Sequence, residues 1–477
     1  MAMIEIGSEK QLFVDNYLIE SLKNAKQVMN PARKAESNPV LRPERPWEGN
    51  MVRAHCIYFD EEENIFKMWY TSSIWTASRD DNGKIISESH DNNGPKFDCY
   101  ATSPDGIEWE RPNLGLVEFE GSKDNNILLE ESRMPYMFHD PHEDNPEKRF
   151  KGLIRTGTTT TPGMQWDLYY SPDGFTWTPF GKNPVVDTSP RIGRWGPTSF
   201  MGWDPIRQVY AVHLENCFHR RSPLGKRLTG RAESPDMIHW SDPETILLPD
   251  ELDAPDTEFY AIRVKAYAGM YVGLILVFHT QTATHHVEVS FSRDGVHYER
   301  NYREPFISRG ANGSFDCVSV MTGTLIPHGD RILVYTHGSN WRSWETLADL
   351  GDDAIRAVGL AVVPLDGFVS VVGAKTDFSE MVTRAFGFSG TKLFVNVESA
   401  MQEATGAGTC DVRVEILSPN HEPLPGFTFQ DADQITATGV AQTVTWGGKP
   451  DLVELRGKTI KLRFYIKNAK LYSFQFI

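Results

Sequence analysis

One seven-residue phrase returns at wide, even intervals and constrains the fold more than any other feature of the chain. Ser103-Pro104-Asp105-Gly106-Ile107-Glu108-Trp109 recurs as Ser171-Pro172-Asp173-Gly174-Phe175-Thr176-Trp177. It recurs again as Ser234-Pro235-Asp236-Met237-Ile238-His239-Trp240 and as Ser292-Arg293-Asp294-Gly295-Val296-His297-Tyr298. Copies spaced by about 60 to 70 residues mean a repeat architecture, in which each unit buries its apolar face against the next. Asp-Gly is a turn dipeptide whose glycine tolerates positive φ. The aromatic that follows can pack back between neighbouring units. The phrase is therefore read as a scaffold turn, without chemistry of its own.

A second element precedes each turn. It is a short β-rich run: 66–70, 150–154, 209–214, 270–277 and 332–335. Another apolar strand comes before each run, often joined to it through an acidic turn such as Asp60-Glu61-Glu62, Asp140-Pro141, Asp204-Pro205 or Gly329-Asp330. Strand, turn, strand, loop, strand, Asp-Gly turn and strand make one four-stranded antiparallel blade. Five such units fit between about residue 40 and residue 370. The last, through Ala357 to Gly367, lacks the usual turn, as expected where a ring closes, and Gln11 to Val14 is expected to supply it with a strand. Beyond that point β-rich runs at 393–397, 412–417, 459–466 and 470–477 predict a sandwich. The expectation is an all-β chain: a five-bladed β-propeller over 1–370 and a β-sandwich over 371–477, with no helical period of useful length.

This pattern resembles the five-bladed glycoside hydrolases of the fructosidase and arabinanase/xylosidase superfamily. The resemblance rests on the Ser-x-Asp-Gly-x-x-Trp turns, on Asn38-Pro39-Val40-Leu41-Arg42-Pro43 followed by Pro46-Trp47-Glu48, and on Phe66-Lys67-Met68-Trp69-Tyr70. It implies a glycosidase whose site lies in the central funnel, with a C-terminal sandwich as in the fructosidase branch. The fructosidase signature Trp-x-Asn-Asp-Pro-Asn-Gly is absent, so the resemblance does not extend to a fructoside substrate.

Glycoside hydrolysis commonly uses two carboxyl groups across the scissile bond. In propellers of this superfamily they stand where the inner strands begin. Acids just before those strands are therefore the candidates: Glu48, Glu258 and Asp316 for catalysis, with Asp256, and Glu215 at the far end of its unit's second strand, beside the substrate. Each of the first three sits among aromatic or apolar residues, where burial favours a protonated donor. Arg53, Arg133, Arg194, Trp47 and Trp195 lie at similar strand starts and could bind hydroxyls or an acidic group, with indole as a stacking platform. His337 and His279 could reach the funnel. A closed ring leaves a narrow pit, which suits one terminal sugar and so exo-action.

Other clusters are read as structural. His139-Asp140-Pro141-His142-Glu143-Asp144 has metal-ligand residue types but lies in one hairpin, where the side chains would not converge. His285 and His286 are adjacent in a strand and face opposite sides. Arg220 to Arg227 is the one basic cluster and is read as an exposed loop, though it would suit phosphate and so a glycoside phosphorylase. No metal or cofactor is assigned.

A net charge of −16 repels polyanions such as nucleic acid. No stretch approaches the ~20 apolar residues of a membrane span. The five cysteines, Cys56, Cys99, Cys217, Cys317 and Cys410, are scattered, and the N-terminus has no leader pattern. These point to a cytoplasmic protein with reduced thiols. The expected partner is a carbohydrate; no oligomeric state follows. The alternatives to a hydrolase are the phosphorylase and a non-catalytic carbohydrate-binding propeller.

Overall fold

The computed structural model describes residues 4–88, 96–130, 136–156, 165–187, 195–216, 225–399 and 410–477. Arg133, Arg194, Cys217 and residues 220–224 of the basic cluster lie outside the described residues, as does the side chain of Trp195. The described residues are nearly all β, with one short α-helix, Trp344–Leu350. The sequence reading missed that helix because it is under two turns long. Ser343 caps it by accepting from the Thr346 amide.

Each repeat of the sequence becomes one antiparallel unit. Met51–Asp60 pairs with Ile65–Ser73, which pairs with Lys96–Ser103, which pairs with Ile127–Glu130. The order recurs in Tyr136–His139, Phe150–Arg155 and Gln165–Ser171, with short outer pieces at Thr178–Pro179 and Val186–Asp187. It recurs in Trp195–Asp204, Val209–Asn216, Thr229–Ser234 and Glu244–Leu247. Thr257–Tyr267, Met270–His279 and Thr284–Ser292 follow, the last bridged at Val287 to Ile307. Ser319–His328, Arg331–Ser339 and Arg356–Pro364 come last.

That last unit takes its outer strand from near the start of the chain. Arg33–Lys34 pairs with Val362 and Ala361, and Leu41 bridges Val358. The expectation that Gln11 to Val14 would do this is corrected: Gln11–Leu12 pairs with Ala469–Phe476. The reason is hydrophobic. Phe13 is fully buried among Phe386, Phe464 and Phe474, whereas the charged Arg33–Lys34 suits an outer edge.

The first strands of successive units touch in a cycle. Met51–Asp60 meets Tyr136–His139, which meets Trp195–Asp204, then Thr257–Tyr267, then Ser319–His328, which meets Met51–Asp60 again. A cavity of about 500 Å³ lies where they face one another, and each contributes to its wall, as at Tyr58, His139, Trp203, Arg263 and Leu325.

The repeated turns lock this cycle. Within the first, Asp105 Oδ1 accepts from the Ile107 and Glu108 amides at 2.8 and 2.9 Å, and Ser103 Oγ accepts from the Gly106 amide at 2.9 Å. The glycine carbonyls reach the neighbouring unit, and Gly174 O also accepts from Trp177 Nε1 of its own turn at 3.1 Å. Trp69 Nε1 donates to Gly174 O at 3.0 Å, and the Tyr335 hydroxyl donates to Gly106 O at 2.8 Å. Both glycines have positive φ, and a Cβ on Gly174 would come within 2.7 Å of the Trp69 ring.

Two further antiparallel sheets enclose one apolar core. The first contains Leu393–Ser399, Ala469–Phe476, Val369–Val372 and Lys26–Met29; the second contains Ile19–Lys23, Ser379–Thr383, Lys461–Lys467 and Asp411–Leu417. Strands before residue 30 thus pair with strands after residue 368. Asp366, fully buried, ties this part to the repeats: it accepts from Tyr267, from Asn396 Nδ2 at 3.1 Å and from Ser473 Oγ at 2.6 Å, and meets Lys10 Nζ at 3.1 Å.

Candidate active site

The inner strands all begin at the same end of the cycle. At the seams there, Phe259 donates its amide to Arg227 O (3.3 Å), His285 to Val318 O (3.3 Å) and Arg356 to Asn50 O (3.0 Å). Arg227, His285 and Arg356 therefore occupy corresponding places at three neighbouring seams.

The inner strands are also irregular near this end. Register shifts fall between Ala54 and Cys56, between Pro197 and Ser199, between Phe259 and Ala261, and between Thr322 and Leu325. An extra residue in a bulge breaks the alternation of the strand and re-aims its side chain. His55 and Tyr260 are such residues.

Glu258 is the second residue of its inner strand and only 7% exposed. Its Oε2 accepts from Arg227 Nη1 at 2.8 Å. The Arg227 guanidinium lies 4.6 Å from the Tyr260 ring centre, and that ring meets His285 edge-on at 5.6 Å. His285 stacks on Phe278 and has its Nδ1 3.0 Å from Ser319 Oγ. Burial, then the charge of Arg356, pushes the His285 imidazole down to about 3, so it is neutral at pH 7. Asp256 stands just before this strand, 3.5 Å from His279 Nδ1.

Asp98 is a carboxylate the sequence reading did not select. It is buried in the same row of paired strands as Thr71 and Arg53. The Thr71 hydroxyl donates to Asp98 at 2.8 Å, so its oxygen accepts from His55 Nε2 at 2.5 Å. No Asp-Gly turn or strand-start pattern flags this residue; only the pairing of three strands does.

Glu48 and Asp316 sit elsewhere, in closed networks. Glu48 is fully buried in the turn Pro46–Glu48. It accepts from the Glu44 and Arg45 amides, from the Tyr70 hydroxyl at 2.7 Å and from Arg111 Nε at 2.7 Å. Asp316 is held by Lys34, from the outer strand of its unit, and by Ser314 Oγ at 2.8 Å. Trp47 donates to Asn126 at 3.0 Å and packs edge-on against Phe119. His337, buried, donates Nε2–H to the Ala54 carbonyl at 3.0 Å, and burial pushes its imidazole well down. Glu215 is half-buried, opposite Gly196 and Thr229.

The remaining clusters resolve locally. Asp140 binds Lys151 and the Tyr210 hydroxyl, His139 stacks on Tyr58 at 4.7 Å and His142 on Trp203 at 3.6 Å. The basic cluster needs a correction at Arg227. It is half-buried against Glu258, because the chain turns there into an inner seam. Aromatic platforms at this end come from insertions that sequence reading passed over. Trp341 lies against Arg356, with 4.8 Å from guanidinium to ring centre, and Trp75 packs on Trp341 at 5.4 Å. Among the described residues no helix is long and apolar enough to cross a membrane.

No family model matches the chain. No curated protein matches it either. Among solved structures it is similar to a β-1,2-mannobiose phosphorylase from Listeria innocua, in complex with β-1,2-mannobiose, at 12% identity and TM-score 0.44, over 71% of this chain and 99% of that one. It is similar to a thermostable family-43 glycoside hydrolase at 12% identity and TM-score 0.43, over 69% and 96%. It is also similar to a fructofuranosidase from Schwanniomyces occidentalis complexed with fructosylnystose, at 10% identity and TM-score 0.44, over 94% and 98%. The solved structures similar to this chain thus include glycoside hydrolases and a fructosidase, the groups named by the sequence resemblance.

Proposed function

We propose that the chain is a five-bladed β-propeller joined to a β-sandwich, and that it is an exo-acting glycosidase working where the inner strands begin. The propeller lies within 1–370. The sandwich is 371–477 together with the strands before residue 30. The closed cycle of inner strands supports a pit that admits one terminal sugar.

The observation that carries the reading is Glu258. It is a buried carboxylate at the start of an inner strand, oriented by Arg227 and beside a bulge that turns Tyr260 the same way. A carboxyl group so placed can pass a proton to a glycosidic oxygen or take one from water. Asp98, linked through Thr71 to His55, is the second acid in this reading. Glu48 and Asp316, among the sequence candidates, act in folding. Five scattered cysteines keep the cytoplasm as the proposed compartment. A glycoside phosphorylase is the second reading, favoured by the arginines at the same end.

The test is product release from an oligosaccharide panel, with and without phosphate, by wild type and Glu258→Gln. A fall of roughly 100-fold to 10,000-fold in the variant is expected for a group that moves a proton in the transition state. Wild-type turnover that survives the substitution removes Glu258 from the chemistry. Turnover only with phosphate moves the chain to the phosphorylases. No turnover by folded wild type supports the binding module.

A further inference from the structure

Two arginines meet at the seam where the cycle closes. Arg356 begins the third strand of the last unit and pairs in parallel with Met51, the first residue of the first inner strand. Arg53 follows two residues later on the same strand, hence on the same face and diagonal to Arg356. The two differ in their surroundings from the arginines that pair with carboxylates.

Arg356 has no carboxylate partner among the described residues. Its guanidinium lies against Trp341, and its Nη1 is 3.4 Å from the Met51 sulfur, a weak acceptor. Its Nε is buried without any hydrogen-bond partner. Arg53 has neither a hydrogen bond nor an ion pair among the described residues. The two also repel: burial, then the charge of Arg53, lowers the Arg356 guanidinium to about 10. It remains a cation at neutral pH.

The surroundings do not cancel this charge. Arg227 is matched by Glu258, and the neutral His285 adds nothing. Among the described residues the buried arginines have carboxylates, Asp204 and Glu233 for Arg231 and Asp253 and Glu288 for Arg300, and the half-buried Arg111 has Glu48. A charge drawn partly out of water without a partner is costly, and Arg53 and Arg356, both half-buried, carry that cost where Arg231, Arg300 and Arg111 do not.

We propose that Arg53 and Arg356 form a binding site for an oxyanion at the end of the cycle where the inner strands begin, with Trp341 and Trp75 as its apolar wall. Planar guanidinium forks match carboxylate and phosphate oxygens in the same way. The anion is therefore either the carboxylate of an acidic sugar or free inorganic phosphate taken as co-substrate. The assignment deepens the glycosidase reading by naming the substrate class, but it is tested by binding, without turnover.

The experiment is isothermal titration calorimetry of the full chain with inorganic phosphate, glucuronate and galacturonate, at fixed ionic strength, with glucose and chloride as controls. At least one oxyanion is expected to bind where glucose and chloride do not. Arg53→Gln and Arg356→Lys should each weaken it by roughly tenfold to a hundredfold, the loss of a charge-assisted contact. Arg356→Lys keeps the charge and loses the fork, and Arg53→Gln changes a half-buried side chain, so a folded variant is available if one fails. Uronate binding assigns the site to the substrate's own acid group; phosphate binding alone assigns it to a co-substrate. The proposal is overturned if no oxyanion outcompetes chloride, or if the folded variants bind as wild type does. Binding without turnover on the panel leaves this site standing and sinks the glycosidase reading. Turnover of neutral sugars without anion binding does the reverse.

Discussion

Gly174→Ala isolates the contact that locks one repeat to the next. Gly174 has φ +78, so an alanine there enters left-handed backbone at a cost of about 1 to 2 kcal/mol. Its Cβ would stand 2.7 Å from Trp69 Cζ2 and 2.9 Å from Cε2. Trp69 is 3% exposed and packed against Tyr100 and Phe150, so the ring cannot retreat freely. Overpacking of this kind costs roughly 1 to 3 kcal/mol. The expected loss is therefore about 2 to 5 kcal/mol. Gly115→Ala is the internal control. Gly115 has φ +65 and open space where a Cβ would point, so it carries the backbone cost alone. Urea unfolding of both variants, followed by tryptophan fluorescence, reads the difference, which should be at least about 1 kcal/mol. Equal losses at the two positions would show that the Trp69 contact does not hold neighbouring units together.

Glu48→Gln should destabilise the chain by about 3 kcal/mol or more, because Arg111 would keep its charge in a nearly closed site. Its folded fraction should retain turnover, so full stability with lost activity would return Glu48 to the chemistry. Asp366→Asn removes the charge that meets Lys10 and weakens acceptance from three donors. Calorimetry should then resolve an earlier transition for the terminal sheets; an unchanged thermogram would deny Asp366 its linking role. Acid should weaken the fold through buried histidines. His213 and His285 are pushed down by burial to about 3, so between pH 6.5 and that value the unfolded chain binds protons that the folded chain refuses. Stability falls as pH drops through this window, by at most about 1.4 kcal/mol per pH unit for each histidine. Neither ring nitrogen of His213 has a partner among the described residues. Denaturant titrations at pH 7, 6 and 5 should therefore show a shallower acid slope in His213→Leu, and an unchanged slope counts against it.

The repeat units were legible because local rules write them. Asp-Gly turns, period-two runs and acidic hairpins each depend on neighbours in sequence, and each became the turn or strand pairing expected. The general place of the candidate site was legible for the same reason, since strand starts can be counted. Glu258, Arg53 and Asp256 were selected that way. Glu48 and Asp316 satisfy the same local pattern, yet Arg111 and Lys34 reach them from 63 and 282 residues away. Glu258 is bound by Arg227 as well, so what separates the three acids is their place in the cycle, which no local pattern gives.

Tertiary structure alone decided the rest. It chose Arg33–Lys34 over Gln11–Leu12 as the closing strand, because Phe13 gains more by burial in the aromatic core of the terminal sheets. It placed Asp98 beside Thr71 and His55, three residues on three strands whose register no short-range signal fixes. It brought Arg53 to Arg356 across 303 residues, with no acid paired to either among the described residues. The sequence by itself determined the units and their order, since turns and strands answer to adjacent residues. Which side chains share a site depended on how the units close into a cycle, and burial and long-range charge settled that.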